Sequence, residues 1–129
     1  MKESFAWAAG IIEGEGSVWK SKGYKGKNGR IPPCWIIQVS NTDLDILEEL
    51  KEIFGGYIGL TRRKGERSGG GRLNSDYFAW RITSRASFRT AKKLIPYIKG
   101  KKKENFIRLI NSYGEKYVNR SGERNSKRL

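Results

Sequence analysis

Residues 5–18 read FAWAAGIIEGEGSV, and this stretch limits the chain more than any other. Phe5, Ala8, Ala9 and Ile12 recur at the spacing of one helical face, and the spacing predicts a helix over 4–14 with Ser4 as its N-cap. Ala6, Gly10 and Gly14 stand four apart and fall on nearly one other line of that helix. A glycine inside a helix costs roughly 1 kcal/mol against alanine, so two of them call for a compensation. Small residues on one line let a second helix backbone approach closely. The chain has one such segment, so the natural partner is the same helix of a second copy across a two-fold axis. The plainer alternative is an amphipathic core helix with dispensable glycines.

Glu13 and Glu15 close this stretch, and Gly14 and Gly16 end the helix. Two acids with one residue between them cannot both point the same way. One can brace the helix end while the other projects towards the two-fold axis and meets its copy. Carboxylate oxygens are the ligands that Mg²⁺ and Ca²⁺ prefer. Paired metal sites suit phosphodiester hydrolysis by metal-activated water. Taken alone, an E-G-E-G string is weak evidence, because acids beside a turn are usually only solvated.

Charge gives the partner. Lys+Arg number 27 against 13 Asp+Glu, a formal net charge of +14. The excess is spread along 129 residues rather than held in one tail, which favours a polyanion: nucleic acid before an anionic membrane. A merely solvated surface is the bland alternative. A single cysteine, Cys34, excludes an internal disulfide and a cysteine-built zinc site. With no histidine either, Ser-His-Asp chemistry and ordinary zinc hydrolysis are also excluded, leaving carboxylates, lysines or a hard metal. Mean hydropathy is −0.69 and no stretch approaches transmembrane length. Residues 1–20 do not read as a signal peptide, so the chain is expected to be intracellular (cytoplasm, nucleoid or organelle) and not membrane-bound.

The rest alternates between strand and helix signals. Residues 17–25 and 34–40 read as paired strands around a turn-rich loop at 26–33. Residues 41–56 (NTDLDILEELKEIFGG) form a helix with Thr42 as cap, a Leu44, Leu47, Leu50 and Phe54 stripe, and a Gly55-Gly56 stop. Residues 57–63 and 76–83 are two more strands, joined by a flexible glycine-rich loop. A helix over 84–95 stops at Pro96, and a last helix begins near 102. This order predicts an α+β domain over 1–118 with an αββαββα core and a four-stranded antiparallel sheet. Helices cover one face of the sheet, and a basic, loose tail occupies 119–129. The bare face is a saddle for the DNA major groove, read from strand parity and basic loops. The expected contacts are Ser21, Lys25, Lys27, Arg30, Gln38, Ser40, Thr61, Arg63, Arg72 and Arg81. Trp19, Trp35 and Trp80 could each be core or surface, and Trp7 interface or core.

The stretch AAGIIEGEGS at 8–17 resembles the signature of the LAGLIDADG homing endonucleases, with residues 9–16 falling on the motif without a gap. IIQVSNTDLDILEEL is similar to that family's second strand running into its second helix, and IPYIKGKKKENF to its segment around a basic residue. The likeness spans about residues 4–113, and one motif copy is similar to the homodimeric branch. The resemblance implies a Mg²⁺-dependent endonuclease, with Ca²⁺ as a non-productive substitute, cutting double-stranded DNA at a long palindromic or near-palindromic site. Glu15 would be the metal ligand and Gly14 would lend its carbonyl. Asn41 would order water, Lys101 would stabilise charge near the scissile phosphate, and Glu13 would serve structure at the interface. Both motif acids are glutamate rather than the commoner aspartate, and Ala8 replaces the leading leucine. An intron-RNA-binding maturase and a non-catalytic DNA-binding protein of the same fold are the alternatives. A small basic ribosome-associated protein is a further one, against which the small-residue helix and its acids argue.

Overall fold

The structure, a computed structural model, describes residues 2–114; the 119–129 tail lies outside them. Helix α1 (Lys2–Glu15) leads into strand β1 (Gly16–Lys20) with no connecting loop. Ser4 lies inside this helix rather than capping it, since the helical backbone starts earlier, at Lys2. A Cβ on Gly16 would lie 2.8 Å from the carbonyl oxygen of Ile12, a backbone atom that cannot yield. The immediate switch from helix to strand therefore requires glycine.

A short hairpin follows, β2 (Tyr24–Gly26) against β3 (Gly29–Ile31), and then β4 (Trp35–Asn41). Helix α2 (Leu44–Phe54) is capped by Asp43, whose Oδ1 accepts the Asp45 N–H at 3.0 Å. Thr42 is therefore not the cap. Next come β5 (Tyr57–Arg62), a second short hairpin of β6 (Arg67–Ser68) and β7 (Gly71–Arg72), and β8 (Tyr77–Thr83). The glycine-rich segment read as a flexible loop thus contains a paired ribbon. Helix α3 (Ser84–Leu94), a 3₁₀ turn at Ile95–Tyr97 that holds Pro96, and α4 (Lys102–Ser112) complete the order.

Four strands make one antiparallel sheet in the order β1-β4-β8-β5. Its two central strands are the second strands of the two long hairpins. Residues of one parity on β4 and β8 (Trp35, Ile37, Val39, Trp80 and Ile82) face the helices and are buried. Ala8, Ala9 and Ile12 of α1, Leu47 and Leu50 of α2, Leu94 of α3 and Leu109 of α4 close over them. Trp80 also donates its indole N–H to the Gly55 carbonyl at 2.8 Å, so its polar edge is satisfied inside the core. Leu44, expected in the α2 stripe, is 37% exposed, because it starts the first turn beyond the sheet's cover.

Candidate functional site

The end of α1 is where the predicted chemistry gathers. A helix C-terminus leaves its last carbonyls without intrahelical partners and carries partial negative charge. Placing two glutamates there, with no basic residue in the last turn, is unfavourable unless something compensates. Glu13 is compensated within the chain. Its carboxylate accepts the backbone N–H groups of Lys99 at 3.2 Å and Gly100 at 2.5 Å, and its carbonyl accepts Lys102 Nζ at 2.8 Å. Glu15 is treated differently. It is exposed, and its Oε1 accepts one bond, from Asn41 Nδ2 at 2.6 Å. Asn41 is itself fixed, because its Oδ1 accepts the Asp43 N–H at 2.9 Å just before α2. The turn into α2 therefore orients Glu15 through Asn41, leaving the second carboxylate oxygen and the helix-end carbonyl of Gly14 as hard oxygen donors.

Lys101 stands at the N-cap position of α4, exposed, with its ammonium bonded to no described residue. Lys102, next along the triplet, is committed to the Glu13 carbonyl. Among the described residues no three of Asp, Glu, Cys or His come together, so one chain offers a divalent cation only part of a coordination shell.

The open sheet face carries a connected polar row. Arg81 donates Nε–H to Gln38 Oε1 at 2.7 Å, and Gln38 Nε2 donates to Ser40 Oγ at 3.5 Å. The Arg81 guanidinium lies over the Trp19 ring, 5.7 Å from its centroid. Trp19 is therefore the tryptophan of the open face, while Trp35 and Trp80 are core. Tyr57, opposite Arg81 in register, is 55% exposed.

Other expected contacts are placed differently. Ser21 is half-buried, and its Oγ accepts the Cys34 N–H at 3.0 Å, tying the base of the first short hairpin. Lys25, Lys27 and Arg30 are exposed on that hairpin, and Arg72 is exposed on the second, donating to the Gly65 carbonyl at 2.9 Å. The parity that joined Thr61 with Arg63 on the open face fails. The register slips between Leu60 and Arg62, so Arg62 pairs with Tyr77 and occupies the open-face position. Thr61 donates its hydroxyl to the Tyr77 carbonyl at 3.0 Å, and Arg63 lies beyond the strand end. The open-face position of Arg62 is not read from the sequence, because the alternation of residue types does not locate the register shift.

On α1, Ala6, Gly10 and Gly14 are all exposed, and a Cβ on either glycine would meet nothing within 4 Å. Trp7 beside them is 37% exposed. This line of the helix is uncovered in the single chain.

Comparison with solved structures supplies the family resemblance in three dimensions. The homing endonuclease I-CvuI, in complex with the I-CreI target and in the presence of Mg, superposes with a TM-score of 0.63 at 17% identity, covering 85% of this chain. A mutant of I-SmaMI gives 0.52 at 26% identity over 84% of this chain, and the I-LtrWI LAGLIDADG homing endonuclease bound to target DNA gives 0.56 at 18% over 83%. The chain spans 65% of the I-CvuI chain and 35% of each of the other two. No protein-family model and no curated protein matches the sequence. The fold is the LAGLIDADG homing endonuclease fold, so the resemblance read from the sequence is upheld at the level of the fold.

Proposed function

We propose that this chain, built on the LAGLIDADG homing endonuclease fold, is a site-specific double-strand DNA endonuclease that acts as a homodimer. The observation that carries the reading is Glu15: an exposed carboxylate at the negative end of α1, oriented by Asn41 at 2.6 Å, on a helix whose glycine line is uncovered. Packing two copies along Ala6, Gly10 and Gly14 brings two such carboxylates near one axis. The donor set fits a hard divalent cation, Mg²⁺ in the working enzyme and Ca²⁺ as the unproductive substitute. Glu15 and the Gly14 carbonyl would hold it, with water, phosphate and the second copy completing the shell. When bound, the metal supplies an activated water and neutralises developing charge on phosphate. Asn41 keeps Glu15 pointed and orders water beside it. Lys101, whose ammonium, like that of Lys103, is bonded to no described residue, stabilises the charged phosphate.

DNA is bound by the open sheet face and by the two basic hairpins, at a long palindromic or near-palindromic site imposed by the two-fold axis. Support for DNA as the substrate comes from the neighbours' DNA complexes and from the +14 charge. One observation favours a second reading, intron RNA binding: the exposed Tyr57 and Tyr77 on the open face could stack unpaired bases.

The test is incubation of the protein with duplex DNA in Mg²⁺ and then in EDTA, alongside Glu15→Gln. The parent should cut in Mg²⁺ only, while the variant binds and does not cut. Cutting by Glu15→Gln would remove the metal assignment. A monomer by sizing, with and without DNA, would remove the paired site.

A further inference from the structure

Glu13 makes three bonds to the segment that begins α4, reaching 86, 87 and 89 positions along the chain. Two N–H groups, of Lys99 and Gly100, converge on its carboxylate, and the Lys102 ammonium bonds its carbonyl. Lys101 sits inside this bracket with its own ammonium unengaged. The neighbouring glycine fits the same arrangement. A Cβ on Gly100 would lie 2.7 Å from Glu13 Oε2, so only hydrogen fits there while the carboxylate keeps its bonds. The chemistry favours an acid at position 13. A carboxylate offers an acceptor to each of two converging N–H donors, whereas an amide offers one acceptor and sets an N–H₂ group against the other donor.

We infer that Glu13 is a positioning residue: it latches the Lys99–Gly100 turn to the end of α1 and so holds Lys101 in fixed relation to Glu15, two residues further on. This rests on the nuclease reading above, in which Glu15 and Lys101 act on one phosphate. The first motif acid then contributes neither metal binding nor proton transfer. It makes the metal ligand and the lysine one rigid body.

Gly100→Ala and Glu13→Gln break the latch in different ways. In the alanine variant the Cβ presses only on the mobile end of a side chain, so the fold survives while the bonds are lost. Three readouts are compared with the parent chain: amide exchange at Lys99 and Gly100 by NMR, duplex affinity in Ca²⁺, and single-turnover cutting in Mg²⁺. The duplex is a site recovered by selection from a randomised library. In both variants exchange should quicken at least about tenfold and affinity should stay within about twofold, while cutting falls about a hundredfold, as expected when a reacting group is misplaced. In a Lys101→Ala background, Glu13→Gln should cost less than about threefold more, because the two act as a unit. Unchanged exchange, an equal fall in affinity and cutting, or full additivity with Lys101→Ala would each overturn the inference. If the parent chain cuts no duplex, the nuclease reading fails and the role given to Lys101 falls with it; amide exchange then still decides whether the latch exists.

Discussion

On the helix side of the sheet, Ile37, Val39, Trp80 and Ile82 are closed to solvent, each at 1% exposure or less. On the other side Gln38 and Arg81 are half-exposed, and Ser40 and Tyr57 are open. On β4 and β8 these are alternate residues of one strand, so strand formation does not separate the two faces. Four helices cover one side, and no described element covers the other. The covered side obtains its energy from burial, about 25 cal/mol per Å² of apolar surface. The open side holds a guanidinium stacked on an indole and bonded to an amide, with no carboxylate paired to it among the described residues. The two faces should therefore fail differently when altered.

The largest effect is expected in the covered layer. Trp80→Ala should lower unfolding free energy by about 3–5 kcal/mol in a denaturant titration, since it opens a cavity and strands the Gly55 carbonyl. A loss under about 1 kcal/mol would mean that the core collapses freely around position 80. Arg81→Ala should leave folding almost unchanged and weaken duplex binding by about 1–3 kcal/mol, concentrated at one base pair of the selected site. A loss spread evenly over all sequences, with a shallower salt slope, would reassign Arg81 to phosphate. Arg62→Ala should weaken binding by roughly 1 kcal/mol more than Arg63→Ala, because the register slip gives position 62 the open face. The reverse order would show that the bulge does not persist on DNA. Smallest of all, Tyr57→Ser should shift stability by no more than about 0.5 kcal/mol, as at other surface positions.

Much of this arrangement was legible in the chain because local periodicity carried it. The apolar spacing of α1 and α2, the glycine stops and the β-forming residues of 34–40 each report one element. Asn41 and Glu15 are each picked out through the family resemblance, whereas the bond between them comes only from the structure. What could not be read depends on chain separation or on local irregularity. The Glu13–Gly100 bonds join positions 87 apart, and no spacing rule connects them. The slip beside Thr61 reverses parity, and Gly59 two residues earlier hints at an irregular strand without giving the register. Asp43 is a somewhat better cap than Thr42 by type, but both residues can cap and the backbone fixes the position at Asp43.

The two short hairpins bear on how the free molecule behaves. Lys25 stands directly opposite Arg30, and Arg67 directly opposite Arg72. Like charges across a ribbon repel, by up to about 1 kcal/mol for each pair. Added electrolyte should therefore firm both ribbons while weakening the proposed binding to DNA, so that one variable drives two properties in opposite directions. Phosphates lying between the paired cations would relieve the same repulsion, and the ribbons should then be most ordered when nucleic acid is present.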